Sequence, residues 1–111
     1  MRSGHWLTVF IMKKLPTSVS VFGQKYKVKI LKKVISEIGN ELHGDFCYKT
    51  KTIRIEEDKI KVMEQTLLHE CVHALAHRLA WNQGDLSHDL EEIIAETMST
   101  WIMETFDFKW K

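Results

Sequence analysis

The sequence predicts a single α+β domain in which short N-terminal strands and a hairpin precede two long helices. The first half contains stretches in which apolar and charged residues alternate, as in Tyr26-Lys-Val-Lys-Ile30, and this pattern is typical of half-buried strands. The second half instead repeats apolar residues at helical spacing. A length of 111 residues fits one domain, and a hydrophobic share of 44% excludes a disordered chain. Within this compact unit we separate an N-terminal extension with the first strands, residues 1–25, from the main domain, residues 26–111.

Turn-forming residues divide the first half into its predicted elements. Gly23-Gln24 is predicted to join two strands, and Thr50-Lys51 is predicted to form the turn of a later hairpin. The apolar spacing of residues 34–42 suits a short helix, although Gly39-Asn40 weakens that pattern. The predicted strands are residues 6–12, 18–22 and 26–31 and the two arms of a hairpin over residues 44–56.

Two amphipathic helices are predicted for the second half. Asp58 is a suitable N-cap for the first helix, which we expect to end near residues 81–84. Ser87 is a suitable N-cap for the second helix, which runs through Thr105. The aromatic tail, residues 106–111, is expected to pack back on the domain. The apolar residues with helical spacing in the first helix are Leu68, Cys71, Val72, Leu75, Ala76 and Leu79.

The net charge of +1 argues against a protein that coats nucleic acid, but the charges are unevenly distributed. Residues 1–36 contain eight basic residues and no acidic one, whereas residues 85–107 contain seven acidic residues and no Lys or Arg. We interpret the two segments as facing each other or the solvent in the fold. A basic surface for an acidic partner is the alternative.

Cysteine usage and hydropathy favour a cytoplasmic protein. Cys47 and Cys71 do not make a disulfide framework and are typical of thiols in a reducing compartment, although a single bridge between them stays open. No stretch approaches the roughly 18–20 apolar residues of a membrane span. Residues 6–12 are apolar but short, and they lack the small-residue cleavage site of a signal peptide.

The strongest chemical signal is the sequence His69-Glu70-Cys71-Val72-His73, which lies within the first predicted helix. Residues four apart share a helix face, so both imidazoles can bind one metal ion. Glu70 is then close enough to act as a general base on a water molecule at that ion. The sequence therefore predicts a catalytic zinc site with His69 and His73 as ligands.

A catalytic zinc site needs a third protein ligand, and the second helix carries several candidates. Two helices joined by a short loop bring the start of the second near the end of the first. Which candidate faces the first helix depends on the length of the loop, because a shift of one residue rotates the side chains of the second helix by ~100° about its axis. The candidates are Glu92, Glu96, Glu91 and His88.

The two motifs together resemble those of the ImmA/IrrE-type metallopeptidases, particularly small phage and prophage members. The chain has H-E-x-x-H at residues 69–73 and Glu92-Ile-Ile-Ala95-Glu96, where that family has E-x-x-A followed by Asp or Asn. The resemblance implies a small zincin-like domain with Glu92 as the third zinc ligand. Glu96 departs from the family pattern, and we expect it to orient a ligand imidazole. We interpret Glu91 as either a solvated acid or an acid that stabilises the helix start, without a role in zinc binding.

The resulting functional prediction is a zinc-dependent metallopeptidase that hydrolyses a peptide bond in a protein substrate, with Glu70 as the catalytic base. The resemblance implies regulatory proteins such as repressors as substrates. The strand at residues 52–56 is predicted to hold an extended peptide by strand addition. The alternative is a catalytically idle zinc-binding interaction module. The predicted partner is a protein or peptide, nucleic acid is unlikely, a membrane is not involved, and the number of subunits is left open.

We assign no role at the metal to several other reactive or aromatic residues. His77 lies one turn beyond His73, but three histidines on one helix make a stretched ligand set, so we interpret it as satisfied elsewhere or solvent-facing. Cys71 is predicted to be a core thiol, and Cys47 lies in the hairpin away from the metal. The aromatic residues near the C-terminus are interpreted as core and tail packing: Trp101, Phe106, Phe108 and Trp110.

Overall fold

The described chain begins with a hairpin that leads into a mixed β-sheet. A computed structural model describes residues 15–80 and 86–110, so the predicted strand at residues 6–12 lies outside the described residues. Strand β1 (Ser18–Val21) pairs antiparallel with β2 (Gln24–Leu31). The turn falls at Phe22-Gly23, one residue before its predicted place, with φ of 50° and 85°. Two left-handed residues match the twist of the flanking strands, and Gly23 adopts this conformation without strain.

A second, two-stranded sheet occupies residues 34–42, the segment whose sequence was ambiguous between a short helix and a turn. Strand β3 (Val34–Ile35) pairs antiparallel with β4 (Glu41–Leu42). The turn between them is closed by hydrogen bonds between Ser36 and Asn40, and Gly39 has a φ of +89°. The apolar spacing suited a helix, but β-branched residues followed by a Gly-Asn pair favour strand and turn.

The predicted hairpin over residues 44–56 is confirmed as β5 (Gly44–Cys47) and β6 (Thr52–Glu56). The order in the four-stranded sheet is β1-β2-β6-β5, with β6 parallel to β2 and antiparallel to β5. Strand β6 is therefore an inner strand, so the prediction that residues 52–56 form the peptide-binding edge is wrong. The strand of this hairpin that lies at the edge is β5.

Two helices follow the sheet in the described part of the chain. Helix α1 (Ile60–Arg78) has Lys59 rather than Asp58 as its N-cap, and it ends before the predicted residues 81–84. Helix α2 (His88–Thr105) begins after Ser87, whose side chain accepts a hydrogen bond from the Leu90 amide, as predicted. The chain is therefore an α+β protein, as the sequence predicts. Neither of these two helices is long and apolar enough to cross a membrane.

Helix α1 packs on one face of the four-stranded sheet and forms the core with it. Alternation along β2 places Tyr26 in this core and the lysines at positions 25, 27 and 29 on exposed sites. Trp110 packs against the core, which confirms the prediction for the tail at this residue. Trp101 and Phe106 are instead more than half exposed, so their predicted packing in the core is wrong. The buried cluster comprises Leu15, Tyr26, Ile53, Ile55, Leu67 and Ala74.

Candidate metal centre

Helix α1 brings two imidazoles to one point. His69 and His73 are four residues apart, and their Nε2 atoms are 3.2 Å from each other. Both side chains are largely buried, because α2 packs against this face of α1. The helical geometry that the sequence predicted for the pair is therefore present in the fold.

Glu92 of α2 completes a group of three candidate ligands. Its Oε1 lies 2.7 Å from Nε2 of His73, and its Oε2 lies 3.3 Å from Nε2 of His69. The ligand atoms of these three residues all lie within 4.8 Å of one another. The two helices run antiparallel, because a hydrogen bond joins Gln65, nearer the N-terminus of α1, to Thr100, nearer the C-terminus of α2. Of the acidic candidates on α2, Glu92 is the one that reaches both Nε2 atoms.

Both imidazoles have their Nδ1 atoms occupied by other carboxylates of α2. Nδ1 of His69 lies 3.0 Å from Glu96, in agreement with the orienting role predicted for that residue. Nδ1 of His73 lies 2.5 Å from Glu91, whose residue surface is only 7% exposed. Glu91 lies in the first turn of α2, as expected for a helix-start acid, but the alternative that it is solvated is wrong. A signal for this was present in the sequence, because Glu91, Ala95 and Ser99 recur every four residues on one helix face, and all three are buried.

These contacts determine which imidazole nitrogen atoms are free to bind a metal. If each Nδ1 donates its proton to a carboxylate, each Nε2 presents a lone pair. Two imidazole lone pairs and the Glu92 carboxylate then converge without a donor between them. Acceptors in such contact repel one another unless a cation lies among them. In that tautomeric state the three acceptors can hold a cation, whereas a proton on Nε2 of His73 would instead be donated to Glu92.

Two of the three separations between the candidate ligand atoms match the spacing of zinc ligands, whereas the third, 2.7 Å between Oε1 of Glu92 and Nε2 of His73, is a hydrogen-bond distance. Bonds of about 2.0–2.1 Å at tetrahedral angles place neighbouring ligand atoms about 3.3 Å apart. The observed separations are 3.2 Å between the two Nε2 atoms and 2.7 Å and 3.3 Å from them to Glu92. Two nitrogen ligands and one carboxylate leave a fourth position open, as catalytic zinc sites do.

Glu70 lies beside these ligands in a buried position. It is 7% exposed and lines a cavity of about 420 Å³ together with His69, Glu92 and Glu96. Burial raises the pKa of Glu70 to about 7, although the charge on His73 opposes this shift. A carboxyl group with this pKa can both accept and release a proton near neutral pH.

The histidines and carboxylates of the centre influence one another's charge. Burial alone would lower the pKa of His73, but the hydrogen bond to Glu91 and the nearby charges of Glu70 and Glu92 raise it. Burial likewise acts to raise the pKa of Glu92, but the charges on His73 and His69 outweigh it and lower that pKa. The carboxylates therefore stabilise positive charge at the imidazoles, so that a proton on His73 and a metal cation compete for the same place.

The remaining sequence candidates lie outside this group of ligands. The ring of His77 stacks on Tyr48 at a centroid distance of 4.5 Å, as expected for a histidine satisfied elsewhere. Cys71 packs against the core, and Cys47 is exposed on β5; both are free thiols. His88 begins α2 and is not among the three ligand candidates that converge.

Replacing Glu91 with Ala is expected to lower the zinc affinity about 10- to 100-fold, because Nδ1 of His73 loses the acceptor that orients the ring. Glu91→Gln retains a carbonyl acceptor, so a smaller loss is expected. Asp89→Ala removes an exposed acid from the same helical turn and is the matched control. The measurement is competition for zinc with a chromophoric chelator. If Glu91→Ala binds zinc as tightly as the parent does, the contact between Glu91 and His73 has no role in metal binding.

The raised pKa of Glu70 predicts a pH dependence of stability in the metal-free protein. Between the ordinary pKa of 4.5 and about 7, the folded state binds more protons than the unfolded state, so stability falls as the pH rises. The free energy of unfolding is expected to fall by roughly 3 kcal/mol in total, and this fall is complete above pH 7. Glu70→Gln is expected to remove most of this decline, as measured by urea unfolding in chelator between pH 4.5 and 8. Parallel pH profiles for parent and variant would contradict this assignment.

Comparison with protein-family models, curated proteins and solved structures returned no match for this chain. The resemblance of the two motifs to ImmA/IrrE-type metallopeptidases therefore stays a prediction.

Proposed function

We propose that this protein is a zinc-dependent peptidase of the ImmA/IrrE type with a zincin-like domain. The observation that supports the proposal best is the convergence of His69, His73 and Glu92, with the Nδ1 atom of each imidazole already occupied by another carboxylate. A purely structural zinc site has no use for a buried general base, whereas Glu70 lies beside the ligands in the same cavity.

When bound, zinc would supply Lewis-acid polarisation of the scissile carbonyl and of the attacking water. The Glu70 carboxylate accepts a proton from the water molecule while the oxygen of that water molecule bonds to the carbonyl carbon. The same carboxyl group then donates that proton to the amine as the C–N bond breaks. Glu91 and Glu96 hold the imidazoles of His73 and His69 in the orientation that directs each Nε2 to the metal.

In this proposal an extended peptide binds along the edge strand β5, beside the centre. Gly44 of β5 lines the same cavity as Glu70 and His69, and the sheet order leaves the outer edge of β5 without a described partner strand. A Cβ at position 44 would lie 2.6 Å from a side-chain carbon of Thr66, so glycine permits the close approach of β5 to α1. Main-chain pairing with β5 would align a substrate backbone along the cavity.

The proposed substrate is therefore a protein or peptide segment that can become extended, with regulatory proteins such as repressors as the class implied by the resemblance. The proposed location is the cytoplasm. The proposal is tested by incubating a diverse peptide library with the zinc-loaded protein, its chelator-treated form and its Glu70→Gln variant. Only the zinc-loaded parent is expected to generate new amino termini, as detected by mass spectrometry.

A further inference from the structure

The outward face of α2 carries large apolar side chains that no described element covers. Leu90, Ile93 and Trp101 are 44%, 60% and 55% exposed. At 100° per residue they lie on one side of the helix together with Thr97, whereas the buried residues Ala95 and Ser99 lie on the opposite side. We call the surface formed by Leu90, Ile93, Thr97 and Trp101 the outer stripe.

The residues of the outer stripe are spaced like residues that pack along a second helix. Its members are separated by three, four and four residues, which is the pattern with which one helix packs along another. From Leu90 to Trp101 the stripe spans about 16 Å, or three helical turns. Isolated exposed apolar residues are ordinary, but a continuous row of this kind marks an interaction surface.

An aromatic pair anchors the C-terminal end of the outer stripe. The rings of Trp101 and Phe106 pack edge-to-face at a centroid distance of 5.3 Å, although both residues are more than half exposed. Tryptophan is enriched among the residues that dominate binding energy at protein interfaces. The contact with Phe106 restrains the Trp101 ring, so less rotamer freedom is lost when a partner packs against it.

The charges beside the outer stripe identify the chemistry of a partner. Helix phase places Asp89 and Glu96 along one side of it and Glu104 on the line of the stripe itself, one turn beyond Trp101; these three exposed acids form the acidic row. Residues 88–107 contain no Lys or Arg that would balance these acids. A second copy presenting the same stripe would bring like charges together, and an anionic membrane surface would be repelled in the same way.

We propose that the outer stripe is a docking surface for a partner protein that presents an amphipathic helix with an apolar face flanked by Lys or Arg. The apolar face would cover Leu90, Ile93 and Trp101, and the basic residues would pair with the acidic row. The outer stripe includes no candidate metal ligand, although Glu96 of the acidic row also contacts Nδ1 of His69. Binding of a partner is measured directly, so the proposal does not depend on the proposed peptidase activity.

The test uses two designed helical peptides of about 14 residues, roughly four turns. Both carry the same Leu and Ile face, one flanked by Lys and the other by Glu, and binding to the full chain is measured by fluorescence anisotropy. We expect the Lys-flanked peptide to bind at least tenfold more tightly than the Glu-flanked peptide. The affinity for the Lys-flanked peptide is expected to fall as salt rises from 50 to 500 mM.

Variants then locate the binding surface. Ile93→Ser and Trp101→Ala are each expected to weaken binding of the Lys-flanked peptide tenfold or more. Glu104→Lys is expected to reduce the preference for Lys over Glu flanks. Ile38→Ser removes an apolar side chain that is 83% exposed on the turn between β3 and β4, and it should leave binding unchanged. Unchanged helical circular dichroism and zinc binding would show that each variant is folded.

Two results would overturn the proposal. Equal affinity of the parent and Ile93→Ser for the Lys-flanked peptide would exclude the outer stripe as its binding site. A parent that forms a dimer in sedimentation equilibrium, with Ile93→Ser monomeric, would show that a second copy covers this face instead.

Discussion

Glu70→Gln is expected to abolish peptide hydrolysis while zinc binding remains at the parental level. The variant keeps the size and hydrogen-bonding capacity of the side chain but cannot accept a proton from water. Loss of a general base typically lowers the rate by roughly 10²- to 10⁴-fold. Glu70 is not among the three converging ligand candidates, so the metal should be retained. The measurements are peptide cleavage by mass spectrometry and bound zinc by elemental analysis.

Glu64→Gln is the matched control for this experiment. Glu64 is a buried glutamate on the same helix, 6% exposed, and it does not line the cavity beside the metal centre. The control variant should therefore cleave like the parent, which separates loss of the base from loss of a buried charge on α1. If parent, Glu70→Gln and Glu64→Gln all bind zinc and none cleaves any member of the library, the protein is better described as a zinc-binding interaction module.

His69→Ala and His73→Ala are each expected to eliminate stoichiometric zinc binding. Each substitution removes one of three ligands whose atoms lie within 4.8 Å of one another. Four-ligand zinc sites contribute roughly 10–16 kcal/mol, so one ligand corresponds to about 3 kcal/mol, or at least a hundredfold in affinity. The measurement is zinc bound per chain after dialysis, with one equivalent expected for the parent.

Glu92→Ala should show a loss of the same order, because Glu92 contacts both Nε2 atoms. His77→Ala is the control, since this histidine lies one turn further along α1 and stacks on Tyr48. The control is expected to keep one zinc per chain. Stoichiometric zinc in the double variant His69→Ala/His73→Ala would disprove the site, because no pair of imidazoles would then be left on this face of α1.

The residues of the centre differ in how far the sequence predicted their positions. The pair His69 and His73 depends only on helical periodicity, and the fold places them together as expected. The positions of Glu92 and Glu96 depend on the relative phase of two helices. The resemblance of the motifs implied a role for Glu92, whereas Glu96 departs from the family pattern. The burial of Glu91 was not predicted, because a glutamate in the first turn of a helix is ordinarily exposed and stabilised by the helix dipole.

The fold shows a similar division between local and long-range interactions. Contacts within a few residues determine the alternation of buried and exposed residues along β2, the N-cap at Ser87 and the ends of the hairpin strands. The sequence predicted all three. The segment of residues 34–42 was ambiguous, because its apolar spacing fits a helix while Gly39 and Asn40 favour a turn. The strand order was also beyond local reasoning, since β6 pairs with β2 across three intervening strands and with β5 beside it.

Periodicity along one element therefore determined, from the sequence alone, the α+β class, the two helices and the imidazole pair of α1. Only the tertiary structure decided which carboxylate of α2 faces which nitrogen atom, because a rotation of one residue changes the helix face by ~100°. It also decided that β5 rather than β6 lies at the edge beside the centre. Burial of Glu91 and the raised pKa of Glu70 have the same origin, since packing of α2 and the sheet against α1 removes water from both carboxyl groups.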